Sequence, residues 1–304
     1  MAETFNVAAL QMRSGTDKEK NVATAIELVH AAADRGASYI QLPEYFNFYG
    51  SARYFEDVSE TVPGPTTSRF ADVARERGVT VHLGSVLETS PLARHSYNTS
   101  VLIGAHGEIR ATYRKVHLFD IDVPGEVTYQ ESAAIASGSE LVVAPLGDVV
   151  LGLTICFDLR FAELYRALAL RGATMFAVPS AFSAVTGPAH WNVLLRARAI
   201  ENHAFVVAAT QAGTTEEGLA TYGHAMIIDP WGVALAESST DQPEVVFAAI
   251  DLDEVTRRRR EIDVLALRRP ELYREAVGDF DEDQCQCGRI PRIVAKAYQR
   301  PRMG

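Results

Sequence analysis

Hydrophobic patterning places this 304-residue chain in the α/β class, and three observations carry that assignment. Apolar runs of strand length alternate with stretches of helical periodicity from the N-terminus onward. An internal echo is the second. The run through Arg35-Gly36-Ala37 to Pro43-Glu44 resembles the run through Arg171-Gly172-Ala173 to Pro179-Ser180, each reading as helix, glycine stop, strand, proline, polar residue. Two such units predict two βα-rich halves about a pseudo-twofold, each delivering a polar residue at a strand end. Third, the apolar run Val149–Ile155 fits a strand buried on both faces and ends in Cys156 followed by polar residues, just before a helix expected near Ala162 or Glu163. Open α/β sheets place ligands at that edge.

The elements follow in order. Phe5–Met12 is strand-like; Asp17–Arg35 carries helical periodicity through Val22, Ile26, Val29 and Ala33, and Gly36 stops it. Tyr39–Leu42 is a short strand running into Pro43-Glu44-Tyr45. After Pro63-Gly64-Pro65 a second helix spans Thr66–Arg77, ends at Gly78, and gives way to a strand over Val79–Val86. Tyr97–Ile103 and Ile109–Tyr113 form a hairpin around Ala105–Glu108. From Arg114 the chain enters a long loop through Pro124-Gly125, whose aromatic and apolar content favours a functional role over disorder. Strands at Leu141–Ala144 and Val149–Ile155 precede a helix through Arg171, then the strand Met175–Pro179. A helix over His190–Asn202 leads to strands at Phe205–Gln211, His224–Ile228, Val233–Glu237 and Val245–Ile250. Beyond Tyr273 the pattern fades into the acidic Gly278–Asp283, so the expected domain is 1–277 with a C-terminal extension at 278–304.

Composition narrows the partners. A net charge of −10 argues against a nucleic-acid binder, which needs a basic surface to displace counterions. The run Arg257–Arg260 reads as a solvated or subunit-facing helix side rather than a phosphate site. Residues Met1–Asn6 lack a basic region followed by a long apolar segment, and the longest apolar runs are too short to span a bilayer, so neither secretion nor membrane insertion is expected. The cysteines, Cys156, Cys285 and Cys287, are odd in number and lack framework spacing, which points to a reducing, cytoplasmic setting. Cys285-Gln286-Cys287 lacks a second pair of thiols, the histidines show no close ligand spacing, and no glycine-rich phosphate loop occurs, so the residues themselves carry no strong metal or phosphate-binding signal.

A free cysteine is more commonly a small core hydrophobe than a nucleophile. Cys156 gains a case from position, since a helix N-terminus and a nearby cation both lower a thiol pKa. Lys115 and Glu44 each follow a strand, and either alone is more often a surface residue. Together a thiol, an ammonium and a carboxylate at three strand ends suit acyl transfer, as nucleophile, oxyanion stabiliser and general base. Glu131 supplies a second carboxylate able to hold the lysine.

These pieces resemble the nitrilase superfamily of carbon–nitrogen hydrolases. The matching stretches are Leu42-Pro43-Glu44, Tyr113 through Asp120, and Gly152 through Leu164, in the family's order. Further stretches, Asp120–Gly125, Thr186–Trp191, Leu194–Glu201, Tyr222-Gly223-His224 and Asp229–Gly232, resemble the branch holding omega-amidase and deaminated-glutathione amidase. The resemblance implies a four-layer α-β-β-α sandwich, with Glu44 as base, Cys156 as nucleophile and Glu131 as supporting acid. Lys115 and the Phe157 backbone N–H would form the oxyanion hole. It implies a thiol amidase that cleaves a small linear amide, such as a 2-oxo acid ω-amide, through a thioester, without cofactor, as a homodimer or larger homo-oligomer. Arg160 is the candidate for binding a substrate carboxylate, with Phe182, His190 and Tyr222 as further pocket candidates. An N-carbamoyl amine amidohydrolase or a nitrilase would use the same groups, and a non-catalytic scaffold is the alternative of another class.

Overall fold

The computed structural model describes residues 4–125 and 127–277. Strand β1 (Thr4–Met12) leads to helix α1 (Lys18–Asp34), capped by Asp17, whose side chain accepts the Lys20 N–H at 3.1 Å. Gly36 takes φ +85° and turns the chain into β2 (Tyr39–Gln41). A short helix α2 (Phe55–Val58) precedes α3 (Pro65–Arg77), which starts on proline and closes on left-handed Gly78. Strands β3 (Thr80–His82) and β4 (Val86–Thr89) follow, and both pair with β5 (Ser96–Ile103), whose other partners include β6 (Ile109–Arg114). The single strand expected over Val79–Val86 is therefore broken. Gly84 lies between the two pieces at φ +31°, and a Cβ there would stand 2.1 Å from the carbonyl oxygens of Leu42 and Pro43. The chain bends away at Gly84 to clear the strand end that carries Glu44.

The segment expected as a long loop after Arg114 holds a hairpin, β7 (Asp120–Val123) against β8 (Val127–Gln130), before the two-residue β9 (Ile135–Ala136). Four-residue strands show too little alternation to register as pattern. Strands β10 (Val143–Leu146) and β11 (Val149–Leu153) precede α4 (Ala162–Leu170), β12 (Met175–Ala177) and α5 (Gly187–Asn202). Then come β13 (Phe205–Ala208), β14 (Thr210–Thr214), β15 (Ala220–Tyr222), β16 (Met226–Ile228), β17 (Ala234–Glu237), β18 (Glu244–Asp251) and α6 (Asp253–Glu261). The expected strand Phe205–Gln211 divides at Ala209, because β13 pairs with β12 in one sheet and β14 with β1 in the other.

The first sheet runs β15-β14-β1-β2-β3-β5-β4, with β18 on β1 and with β6 and β9 on β5; the second runs β10-β11-β12-β13-β16-β17. Alternation along β1 sorts its two faces. Ala8, Leu10 and Met12 pack with Val22, Ala25 and Val29 of α1 and Phe70 of α3, while Val7 and Ala9 join a core with Leu151, Phe176 and Val206 of the second sheet. Leu168 of α4 and Trp191 and Leu195 of α5 belong to that same core. The layers are thus α1 and α3, first sheet, second sheet, α4 and α5, the expected α-β-β-α sandwich. The echo has a topological counterpart: β1, β2 and β3 are parallel neighbours in one sheet, as β11, β12 and β13 are in the other.

Between the sheets, Gln41 donates to the Val207 carbonyl at 3.0 Å, and Tyr39 donates to Gln41 at 2.8 Å. Of the basic run on α6, Arg257 and Arg260 are exposed while Arg258 and Arg259 are committed internally. Arg258 pairs with Glu254 at 2.6 Å and covers the Trp231 ring, and Arg259 donates to the carbonyls of Ala173 and Asn202. One compact unit ends at Leu265; the second, from Ala266, holds helix α7 (Pro270–Val277). The extension at 278–304, with Cys285 and Cys287, lies outside the described residues, as does Glu126.

Candidate active site

Three of the expected residues meet through direct hydrogen bonds. Glu44 leaves the end of β2 behind Pro43 and is 2% exposed. One carboxylate oxygen accepts from Lys115 Nζ at 2.8 Å and Asn98 Nδ2 at 2.9 Å, and the other accepts the Ala181 N–H at 2.8 Å. Lys115 follows β6, where its own N–H donates to the Asn98 carbonyl and its carbonyl accepts from Gly138. Glu131 opens a single helical turn after β8. It accepts from Lys115 at 2.8 Å, Tyr45 Oη at 2.7 Å, Asn98 at 3.2 Å and the Phe119 N–H at 2.6 Å.

The electrostatics follow from that contact list. Burial favours the neutral amine of Lys115, but Glu131 and Glu44 outweigh it and hold the ammonium pKa well above its ordinary value. Burial likewise raises Glu131, and Lys115 with the hydrogen bonds reverses this, leaving the carboxyl below its ordinary value. A buried ammonium between two carboxylates fixes both acids in position, and removing the lysine would leave two buried carboxylates without a counter-charge.

Cys156 lies just past β11, its N–H donating to the Pro179 carbonyl at 2.9 Å. Its φ of +47° is left-handed, a conformation that costs a non-glycine residue about 1–3 kcal/mol and persists only where the surroundings impose it. Helix α4 begins at Ala162 as expected, and Cys156 opens a single 3₁₀ turn to Arg160 between β11 and that helix. The expectation corrected here is the direction of the thiol's pKa. Burial pushes its pKa well above the ordinary thiol value, Glu44 adds to the rise, and Lys115 and the Ala181 N–H offset only part of it. The resting group is a protonated thiol, whose deprotonation requires a base at hand.

Glu44, Lys115, Glu131 and Cys156 line one cavity of about 260 Å³, walled by aromatic and apolar side chains such as Tyr49, Phe119 and Tyr129. A narrow cleft adjoins it, sharing Cys156, Phe119, Ala181 and Ser183 and bounded by Phe157, Arg160 and Phe182. Arg160 is half-buried, which lowers its pKa; it donates to Thr186 Oγ1 at 3.3 Å and lies 5.6 and 5.4 Å from the ring centroids of Phe157 and Phe182. His190 is exposed on the first turn of α5, with Nδ1 3.2 Å from Arg160, and Tyr222 stacks on His224 at 4.3 Å. Neither His190 nor Tyr222 lines these two cavities.

Sequence reasoning passed over Asn98, which bridges both carboxylates, and Ala181, whose N–H holds the far oxygen of Glu44. Ala181 follows Pro179-Ser180, the partner of Pro43-Glu44 in the internal echo, so corresponding corners of the two halves meet at the site. Tyr45 and Asp158 were also unmarked, although each adjoins a residue that was singled out.

A buried thiol, an ammonium and two carboxylates at element ends of an α-β-β-α sandwich define a hydrolase of the thiol class. The chain belongs to the carbon-nitrogen hydrolase family, whose pattern matches residues 6–260, and it is an enzyme of that chemistry. It is 42% identical over 274 residues to human deaminated glutathione amidase, covering 88% of this chain and 83% of that protein. Over 270 residues it is 37% identical to mouse omega-amidase NIT2, covering 89% and 97%. The C. elegans NitFhit protein superposes with a TM-score of 0.83 at 38% identity, covering 90% of this chain and 67% of that one. A variant amidase from Nesterenkonia sp. AN1, carrying the acetamide moiety of fluoroacetamide on its active-site cysteine, superposes with a TM-score of 0.75 at 28% identity over 89% and 96%.

Proposed function

We propose that the protein hydrolyses a small linear amide with a carboxylate on its acyl part, such as a 2-oxo acid ω-amide or deaminated glutathione, through a thioester on Cys156. The observation that carries this reading is the contact of Lys115 Nζ with both Glu44 and Glu131 on the floor of a cavity shared with Cys156. The names of the relatives support the substrate class. Glu44 takes the Sγ proton as Sγ attacks the carbonyl carbon, and Lys115 with the Phe157 N–H receives the oxyanion. Glu44 returns the proton to the departing nitrogen, the C–N bond breaks, and ammonia or an amine leaves. Water then gives a proton to Glu44 and attacks the thioester; the C–S bond breaks, acid is released and the thiol regains its proton. Glu131 keeps Lys115 charged and aimed throughout. Arg160, with no carboxylate partner among the described residues, supports the anionic acyl group.

The test is a substrate panel holding 2-oxoglutaramate, deaminated glutathione, a neutral amide, a nitrile and an N-carbamoyl amine, followed by product release and intact mass. The two carboxylated amides are expected to turn over and Cys156→Ala to abolish turnover with the fold retained. Preferred turnover of the nitrile or carbamoyl compound would replace the amidase reading, and no adduct or product from any of them would favour a scaffold. The same reading takes the enzyme as cytoplasmic and homo-oligomeric, with a functional domain at 1–277 and an accessory extension at 278–304. Light scattering on the full chain and on residues 1–277 tests the last two points.

A further inference from the structure

The residue two positions past Cys156 has a set of partners that the proposed chemistry does not use. Asp158 is fully buried, and both its oxygens are engaged. Oδ2 accepts the Ile155 N–H at 2.8 Å and the Tyr113 hydroxyl at 2.7 Å; Oδ1 accepts the His117 N–H at 3.1 Å and stands 2.8 Å from His117 Nδ1. Ile155 immediately precedes Cys156, and Tyr113 and His117 flank Lys115 by two residues on either side. One carboxylate therefore ties the turn bearing the thiol to the segment bearing the ammonium, 41 and 45 residues away in sequence.

We propose that Asp158 is a positioning residue that fixes Lys115 relative to Cys156 Sγ, and with it the side of the oxyanion hole that Lys115 supplies. The inference rests on the acyl-transfer reading above. Three features support a clamp rather than ordinary burial of an acid. The bond to Ile155 closes the turn in which Cys156 is held left-handed, opposite the bond from Cys156 N–H to Pro179. Tyr113 is almost wholly buried, and burial and Asp158 push its phenol far above its ordinary value, so the hydroxyl remains a donor. The His117 ring stacks on Phe161 at 3.6 Å, near parallel, which fixes the other arm against the end of the same turn. Lys115 itself makes no bond to Asp158; its backbone is held by Asn98 and Gly138, and the clamp sets where that backbone lies against the thiol.

The experiment substitutes Asp158→Asn, Tyr113→Phe and His117→Phe, the last two each removing one side-chain contact to Asp158 while keeping a ring and, at position 117, the backbone N–H bond. An amide offers one acceptor oxygen and turns its NH₂ toward donors on the other arm, so the asparagine cannot hold both. The first readout is turnover of an amide that the wild type accepts, and the second is alkylation of Cys156 by iodoacetamide against pH, followed by intact mass. Alkylation needs no substrate, so failure of the amidase reading and failure of the clamp are separable. The charged groups facing the thiol are Glu44, Lys115 and Arg160, and loss of Lys115's position is expected to move the alkylation profile to higher pH. Asp158→Asn is expected to lower kcat about 100-fold with little change in KM, as for a small misplacement of reacting groups, and each single-arm variant about tenfold. A folded Asp158→Asn protein with wild-type kcat and alkylation profile overturns the proposal. If that variant does not fold, wild-type behaviour of both Tyr113→Phe and His117→Phe overturns it equally.

Discussion

Arg160 shows how a residue's neighbours select its chemistry. Its guanidinium is half-buried beside Phe157 and Phe182, and the groups closest to it are a hydroxyl and an imidazole rather than a carboxylate. A cation partly desolvated against aromatic faces gains more from a ligand carboxylate than one in open solvent. Arg160→Met is therefore expected to raise KM for carboxylated amides by about 10- to 100-fold, the worth of a charged hydrogen-bonded pair, and to leave KM for a neutral amide nearly unchanged. Steady-state kinetics on the two substrate types measures the difference; equal losses on both would remove Arg160 from recognition. At this scale the sequence was informative for Glu44, Lys115 and Cys156, because each stands in a motif at an element end, while Glu131 entered only as a second acid able to hold the lysine, the role that the family resemblance implied. It was uninformative for Asn98, a single polar residue inside a strand, whose role depends on which carboxylates stand opposite.

At the scale of elements, strand ends do the positioning and glycine permits the close approach. Gly84 interrupts the strand that sequence patterning draws as continuous, and it does so beneath the Leu42-Pro43 peptides that lead to Glu44. Gly84→Ala would place a methyl group 2.1 Å from two carbonyl oxygens in a left-handed conformation. Destabilisation of about 1–3 kcal/mol is expected from strain and overpacking, with a fall in kcat as Glu44 shifts. Urea unfolding at constant m-value and kcat measured together check this. Retention of both would mean that the β2 end tolerates displacement. The divided run β13–β14 was illegible in sequence because a short apolar run has the same period whether it stays in one sheet or crosses to the next, and the hairpin β7–β8 because four-residue strands show too little alternation to register.

Across the whole molecule, the site joins the two halves of the sandwich: Glu44 and Lys115 come from the first, Ala181 and Cys156 from the second. The buried Glu44–Lys115–Glu131 set therefore contributes to stability in a pH-dependent way. Glu131 lies below its ordinary 4.5 when folded, so its contribution is complete above that pH and is lost as pH falls through the folded value. Lys115, held above 10.5, contributes fully below that pH and loses its contribution as pH rises through its folded value. Calorimetry should find wild type more stable than Glu131→Gln at neutral pH, with the gap in Tm closing as the pH drops below 4.5. A gap that stays constant into acid would show that Glu131 is not held ionised by Lys115.

The sequence by itself determined the α/β class, the main helices with their stops, the paired halves and the motif-borne residues, since periodicity, glycine stops and strand ends are local properties. Only the tertiary structure decided that Asn98 bridges the two acids, that Ala181 meets Glu44 across 137 residues of chain, that Asp158 links the thiol's turn to the lysine's segment, and that the thiol pKa is raised rather than lowered. The physical reason is common to all four. Desolvation and hydrogen-bond partnership depend on which distant groups share a buried volume, and no local pattern encodes that volume.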